Sequence, residues 1–176
     1  MKKLTLTMAG VAAMTLAGSA AADVSISMDG FTAAGAQFSM QEGTLSGSID
    51  TAIGDFVLDA DGQNWTWCSD LCVMIANADL SDLYMQIGGY SDFGAAHRFT
   101  WSQGDSSAAG TAGGGTIDIG GIDVSGYHVW IGNGYGSGGD GVWSGQVDLL
   151  GSVAVPAPGA LALLGLAGLA GRRRRR

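Results

Sequence analysis

The sequence predicts an all-β domain, a β-sandwich or jelly roll, flanked by an N-terminal signal peptide and a C-terminal apolar helix. Three observations support this fold class. Apolar residues in the body recur with a period of two, turn-forming residues separate the short apolar runs, and the basic residues are confined almost entirely to the two ends. We therefore divide the 176-residue chain into segments 1–22, 23–152 and 153–176.

The first segment has the three parts of a secretory signal peptide. Lys2 and Lys3 supply the positive start, an apolar stretch follows, and the small residues Ala20 and Ala22 precede Asp23. We expect signal peptidase to cut after Ala22, and the remainder of the chain to leave the cytosol.

The body is expected to contain eight or nine short strands. In the clearest case, Tyr127, Val129 and Ile131 share one face while His128 and Trp130 share the other. Glycine, Asp, Ser and Asn separate the strands, because these residues tolerate the positive φ values of turns. The strands are predicted at 24–28, 44–51, 55–59, 71–76, 83–88, 116–119, 127–131 and 142–149. No run has helical periodicity, which favours a sandwich or jelly roll.

The charge of the body restricts its function. All 16 acidic side chains lie between Asp23 and Asp148, and Arg98 is the only basic residue among them. This balance argues against a nucleic-acid partner. The absence of lysine from the body argues against Schiff-base chemistry and a phosphate-binding P-loop. With two histidines, one glutamate and no Gly-x-Ser-x-Gly motif, we expect a non-catalytic protein.

The C-terminal segment combines a proline motif, thirteen apolar or small residues and an arginine block. The motif is Val155, Pro156, Ala157 and Pro158, and the block is Arg172, Arg173, Arg174, Arg175 and Arg176. This order resembles a PEP-CTERM sorting signal, the tail recognised by the membrane protease exosortase in Gram-negative bacteria. Ala157 stands where that family usually has Glu.

The resemblance implies a transient stage in the inner membrane. The apolar helix halts there with the arginines retained on the cytoplasmic side, and exosortase then cuts near the proline motif. The body is expected to finish at the cell surface or outside the cell. A tail anchor that is never cut is the alternative.

A second resemblance concerns the fold of the body. The stretch WTWCSDLCVMI (65–75), together with GVWSG (141–145), faintly resembles the jelly-roll P-domain that accompanies secreted proprotein convertases. The resemblance implies a jelly roll and carries no catalytic residues with it.

Cys68 and Cys72 are the only cysteines, and two cysteines in an exported chain favour a disulfide. Three intervening residues permit this bridge only if the backbone turns between them. A zinc site that adds His97 and His128 is the weaker alternative.

Asp59, Asp61 and Asn64 form an oxygen-rich stretch and are weak candidates for a calcium site. Gly62 is fourth in this stretch, whereas an EF-hand has glycine sixth, and an ordinary Asp-Gly turn between strands is the preferred explanation of the pattern. No other cofactor is expected.

Two aromatic residues are candidates for ligand binding. Trp130 lies on the strand face opposite Tyr127, Val129 and Ile131, which suggests exposure, and Tyr135 lies in the glycine-rich loop 132–141. The first functional hypothesis is an exosortase-sorted structural or adhesive protein of the bacterial envelope or extracellular matrix. The alternative is a secreted polysaccharide-binding module, with calcium as an optional aid.

Overall fold

The protein is described by a computed structural model that covers residues 16–18, 23–62, 65–136 and 139–153. Within these ranges the chain forms ten strands and one short 3-10 turn, Cys68–Asp70. The strands are β1 (Leu16–Gly18), β2 (Asp23–Ala34), β3 (Phe38–Thr44), β4 (Ser48–Leu58), β5 (Leu71–Ala76), β6 (Leu83–Gly88), β7 (His97–Phe99), β8 (Ala112–Asp123), β9 (His128–Asn133) and β10 (Asp140–Gly151).

Several sequence predictions lie outside the described residues. They are Ala20 and Ala22 of the signal-peptide site, Asn64 of the calcium stretch, and the sorting residues 155–158 and 172–176. Across the described ranges, none of the chain is a helix long and apolar enough to cross a membrane.

The strands form two five-stranded sheets, which confirms the predicted all-β sandwich. One sheet has the order β1-β2-β10-β4-β8 and the other has the order β3-β9-β5-β6-β7. Neighbours are antiparallel except β6 and β7, which are parallel. Successive strands from β2 to β5, and again from β8 to β10, alternate between the sheets, which is the strand arrangement of a jelly roll.

The space between the sheets holds the main core. Alternation directs Trp143, Val147 and Leu149 of β10 inward, and all three are fully buried. Phe56 of β4 packs edge-on against Trp101, with 5.4 Å between ring centroids. Burial of each such side chain contributes about 1.5–3 kcal/mol to stability, so this layer accounts for most of the sandwich's cohesion.

A second apolar cluster covers the outer face of the sheet that contains β5. Met74 of β5, Trp130 of β9 and Phe38 of β3 pack there, with Leu80 and Phe93 against them from connecting segments. Strand β5 is therefore buried on both faces, and all six of its residues are fully buried.

The prediction that Trp130 is exposed is wrong. Its side chain is 2% exposed, and its indole N–H donates to the Asn77 carbonyl at 3.3 Å. Alternation placed Trp130 correctly on the face opposite Val129 and Ile131, but the connecting segments cover that face.

The strand boundaries differ from the prediction in several places, and most of all at β3 and β4. The run 44–51 is broken, since β3 ends at Thr44 and β4 begins at Ser48. Strand β4 then continues to Leu58 without the predicted interruption, because Gly54 pairs with Gly115 of β8 inside the sheet. Strands β2, β8 and β10 are longer than predicted, and β1, β7 and nearly all of β3 were not predicted.

The predicted disulfide between Cys68 and Cys72 is wrong, because both thiols are free and buried. Cys68 belongs to the core between the sheets, whereas Cys72 belongs to the cluster on the outer face. The backbone turns at Cys68–Asp70 as a bridge requires, but the two side chains then lie on opposite faces of the sheet. Burial raises the pKa of the Cys68 thiol to about 11 and that of Cys72 further still.

Candidate binding site

Aromatic side chains gather at one end of three neighbouring strands, where β5 begins and β6 and β9 end. Antiparallel pairing sets Cys72 of β5 beside both Gly88 of β6 and Gly132 of β9. The three connections that flank these positions therefore meet. They line a cavity of about 230 Å³. Its lining residues, which we call the aromatic pocket, are Trp65, Trp67, Asp70, Tyr90 and Tyr135.

Three aromatic side chains of the pocket are exposed to solvent. The exposed fraction is 76% for Trp65, 72% for Tyr90 and 38% for Trp67. Tyr135 is half-buried and meets Tyr90 with 6.0 Å between ring centroids. Exposed aromatic side chains that border one cavity make it a candidate site for binding another molecule.

Trp65 also has a strained backbone. Its φ is +70°, in the left-handed region that a bulky side chain rarely adopts, and this conformation costs about 1–2 kcal/mol. Strain of this kind is retained where the surrounding structure and function require it. The conformation holds the indole of Trp65 out in solvent at the pocket.

Asp70 joins the three connections that form the pocket. Its carboxylate accepts the Trp67 N–H at 2.7 Å and the Tyr90 N–H at 3.0 Å. Its backbone carbonyl accepts the Gly134 N–H at 2.7 Å, next to Tyr135. The buried side chain of Asp70 thus fixes the backbone at two of the four aromatic residues, and its backbone carbonyl fixes the segment next to a third.

The ionisation of Asp70 is shifted by this environment. Burial raises the pKa of its carboxyl group, the two N–H bonds oppose that rise, and the negative charge of Asp105 adds to it. The net direction is upward. The carboxyl group consequently holds its proton more tightly than an exposed aspartate does.

Two further buried polar side chains hold the same connections. Asn133 accepts the Tyr135 N–H at 2.9 Å, donates to the Gly139 carbonyl at 2.9 Å and lies 3.4 Å from the Thr66 hydroxyl. Gln86 donates to the Ser91 carbonyl at 2.8 Å. Both are fully buried. Buried polar groups are costly without partners, and here the partners are the connections that carry the aromatic rings.

The core side of the pocket is fastened by two buried tryptophans. The Trp143 indole N–H donates to the Cys68 carbonyl at 3.0 Å, and that of Trp101 donates to the Leu71 carbonyl at 2.8 Å. The 3-10 turn between them is therefore anchored to the main core. The aromatic pocket is preorganised, which lowers the entropic cost of binding a ligand.

The structure brings together only part of the predicted site. Tyr135 lines the aromatic pocket, whereas Trp130 lies in the outer cluster. Asp59 accepts the Ser144 hydroxyl at 2.5 Å and Asp61 accepts the Ala109 N–H at 2.8 Å. Among the described residues, no three His, Cys, Asp or Glu side chains are grouped as a metal ion needs.

The sequence reasoning missed Trp65, Trp67, Asp70 and Tyr90 as site residues. One signal was available, because Trp65 and Trp67 are separated by one residue and can share a face. Tyr90 carried no such signal, since only the pairing of β5 with β6 brings it to the pocket.

Comparison with known proteins found no relative from which to assign a function, so the assignment rests on this geometry. No protein-family model, curated protein or solved structure matches the chain. The fold and site define an all-β sandwich with a preorganised aromatic pocket at one end of β5, β6 and β9.

Proposed function

We propose that this chain is an exported, non-catalytic binding protein of the bacterial cell surface or extracellular matrix, and that its aromatic pocket binds polysaccharide. The observation that carries the proposal is the aromatic pocket itself. Indole and phenol rings stack against the apolar faces of sugar rings, and exposed Trp and Tyr provide large contact area at a low cost in conformational entropy. This role combines the adhesive function with the polysaccharide-binding alternative.

The proposed location depends on the two ends of the chain. The signal-peptide pattern before Asp23 supports export, and the PEP-CTERM-like order of proline motif, apolar run and arginines supports an inner-membrane intermediate cut by exosortase. Strand β1 lies within the proposed signal peptide and pairs only with Val24, Ser25 and Ile26 of β2. Cleavage after Ala22 therefore leaves the pairing of β2 with β10 intact.

Intact mass of the protein purified from its own host tests this processing. A mass that begins at Asp23 and ends near Pro158 supports a sorted surface protein. A mass that retains Arg172 to Arg176 would contradict processing under those conditions and would support the uncut tail anchor.

A non-catalytic role is supported by the chemistry of the pocket. Among the described residues, Asp70 is the only carboxyl group in its lining, and both of its oxygens accept backbone N–H groups. General acid–base catalysis needs a group that is free to exchange a proton with the substrate. Asp70 instead serves to position the aromatic residues.

Polysaccharide binding can be tested on a glycan array with matched variants. We expect Tyr90→Ala and Trp67→Ala to lose retention, because each removes a ring that faces the pocket. Met40→Ala is the control, since Met40 is 47% exposed but lies on β3, outside the pocket lining. Equal retention by all variants would refute the site, and absence of any retained glycan would refute the function. Addition of calcium to the same array tests whether it assists binding.

A further inference from the structure

The aromatic pocket carries negative charge as well as aromatic rings. The carboxyl group of Asp70 forms part of its lining. Asp105 lies beside the same 3-10 turn, because the Ser69 hydroxyl donates to its carboxylate at 3.3 Å. The negative charge of Asp105 raises the pKa of Asp70. Two carboxyl groups therefore act on one small cavity.

One arginine of the described chain lies close to these carboxyl groups. Arg98 donates to the carbonyls of Gly89 and Tyr90 at 3.4 and 2.9 Å, so its guanidinium lies beside the pocket wall that Tyr90 forms. The carboxyl groups of Asp70 and Asp105 outnumber this arginine, and the charge of the body as a whole is strongly negative. The surroundings of the pocket therefore favour a cation over an anion.

Aromatic rings reinforce this preference. The faces of indole and phenol rings carry a negative quadrupole that attracts ammonium groups, with about 0.5–2 kcal/mol reported for such contacts. Four rings and a carboxyl group around a cavity of about 230 Å³ favour a ligand that is both ring-shaped and positively charged. Anionic polysaccharides are disfavoured, since the body carries 16 acidic side chains and one arginine.

We propose that the aromatic pocket selects a saccharide that bears protonated amino groups, such as a glucosamine polymer, over neutral and anionic saccharides. The proposal rests on the polysaccharide-binding function and names its ligand class. The sugar ring stacks on the aromatic side chains while the ammonium group lies near Asp70 and Asp105. The first contact supplies general affinity and the second supplies selectivity.

Isothermal titration calorimetry of the intact protein can separate the two contributions. Three probes of equal length are compared at about pH 6, where exposed carboxyl groups are mostly ionised: a β-1,4-linked glucosamine oligomer, its N-acetylated form and a cello-oligosaccharide. We expect the amino form to bind about tenfold more tightly than the other two, in line with the strength of cation–π contacts. Added salt should weaken binding of the amino form and leave the neutral probes unchanged.

Two variants test the charge without disturbing the rings. Asp105→Asn removes an exposed carboxylate that is not in the lining, and should reduce affinity for the amino form about two- to fivefold, as for a solvent-exposed ion pair. Asp118→Asn is the matched control, because Asp118 is exposed like Asp105 but lies farther from the 3-10 turn. It is five residues along β8 from Gly113, the residue of that strand that borders Cys68. Affinity for the neutral probes should not change in either variant.

The possible results distinguish the two proposals. Equal affinity for all three probes, or tighter binding of a neutral one, overturns the selectivity and leaves polysaccharide binding in place. Failure of all three probes and of the glycan array overturns polysaccharide binding itself. An equal effect of Asp105→Asn and Asp118→Asn assigns the preference to overall charge and overturns the role of the pocket.

Discussion

Replacement of Trp65 tests whether the pocket stores backbone strain. The φ of +70° costs about 1–2 kcal/mol for any residue with a Cβ, and glycine avoids that cost. Glycine in turn stabilises the unfolded chain by about 0.4–1 kcal/mol relative to alanine. We therefore expect Trp65→Gly to be about 0.5–1 kcal/mol more stable than Trp65→Ala.

The comparison with the wild-type protein follows from the exposure of Trp65. The side chain is 76% exposed, so about a quarter of its surface, roughly 50 Å², is buried. At about 25 cal/mol per Å² this contributes about 1 kcal/mol. Trp65→Ala should lose about that amount, while relief of strain should keep Trp65→Gly within about 0.5 kcal/mol of the wild type.

Urea unfolding followed by far-UV circular dichroism measures these differences, provided that the m-values agree. Trp67 is the matched control, because its φ is −95° and glycine offers no relief there. Trp67→Ala should be more stable than Trp67→Gly. If Trp65→Ala were as stable as Trp65→Gly, the left-handed conformation and the strain argument would both be refuted.

Three further predictions concern ionisation, thiols and Gly145, where the register of β10 with β2 shifts between Trp143 and Gly145 as in a β-bulge. Because burial raises the pKa of Asp70, the folded protein binds this proton more tightly than the unfolded chain does, and the free energy of unfolding should increase as pH falls through the titration of Asp70. In thermal melts measured across pH, Asp70→Asn should lack this increase. An unchanged increase in the variant would assign it to other carboxyl groups. Native Cys68 and Cys72 should resist a thiol reagent until urea unfolds the chain, because both are buried with raised pKa values; rapid native labelling would contradict this. In urea unfolding, Gly145→Ala should destabilise the protein by at least about 2 kcal/mol more than Gly126→Ala. Both glycines have positive φ, but only at Gly145 would the added Cβ lie 2.3 Å from a backbone oxygen. Equal losses of stability in the two variants would refute the bulge geometry.

The strand pattern was predictable because alternation is a local property. Val129 and Ile131 point into the main core as their spacing required, and the runs at 71–76 and 83–88 became β5 and β6 with unchanged bounds. The burial of Trp130 was not predictable in this way. Alternation reports which residues share a face, whereas the cover of that face comes from Leu80 and Phe93 of the connecting segments, which are far from Trp130 in sequence.

The site was less predictable than the fold for the same physical reason. The carboxylate of Asp70 joins Trp67 to Tyr90, which follows Asp70 by 20 residues and lies beyond the β5–β6 pair. Sequence spacing contains no record of that contact. The disulfide prediction failed likewise, because two cysteines near a turn satisfied the local rule while their side chains belong to opposite faces of the sheet.

The two ends of the β5–β6 pair show why the order at the pocket points to binding. At the far end, Asn77 and Asp79 close the turn to β6 with exposed hydrogen bonds to Ser81, and water can replace such bonds at little cost. At the pocket end, the connections are held by the buried side chains of Asp70 and Gln86, and a buried polar group left without its partner costs about 1–3 kcal/mol. Of these two connections, the one held by buried polar side chains is the one beside the exposed aromatic rings.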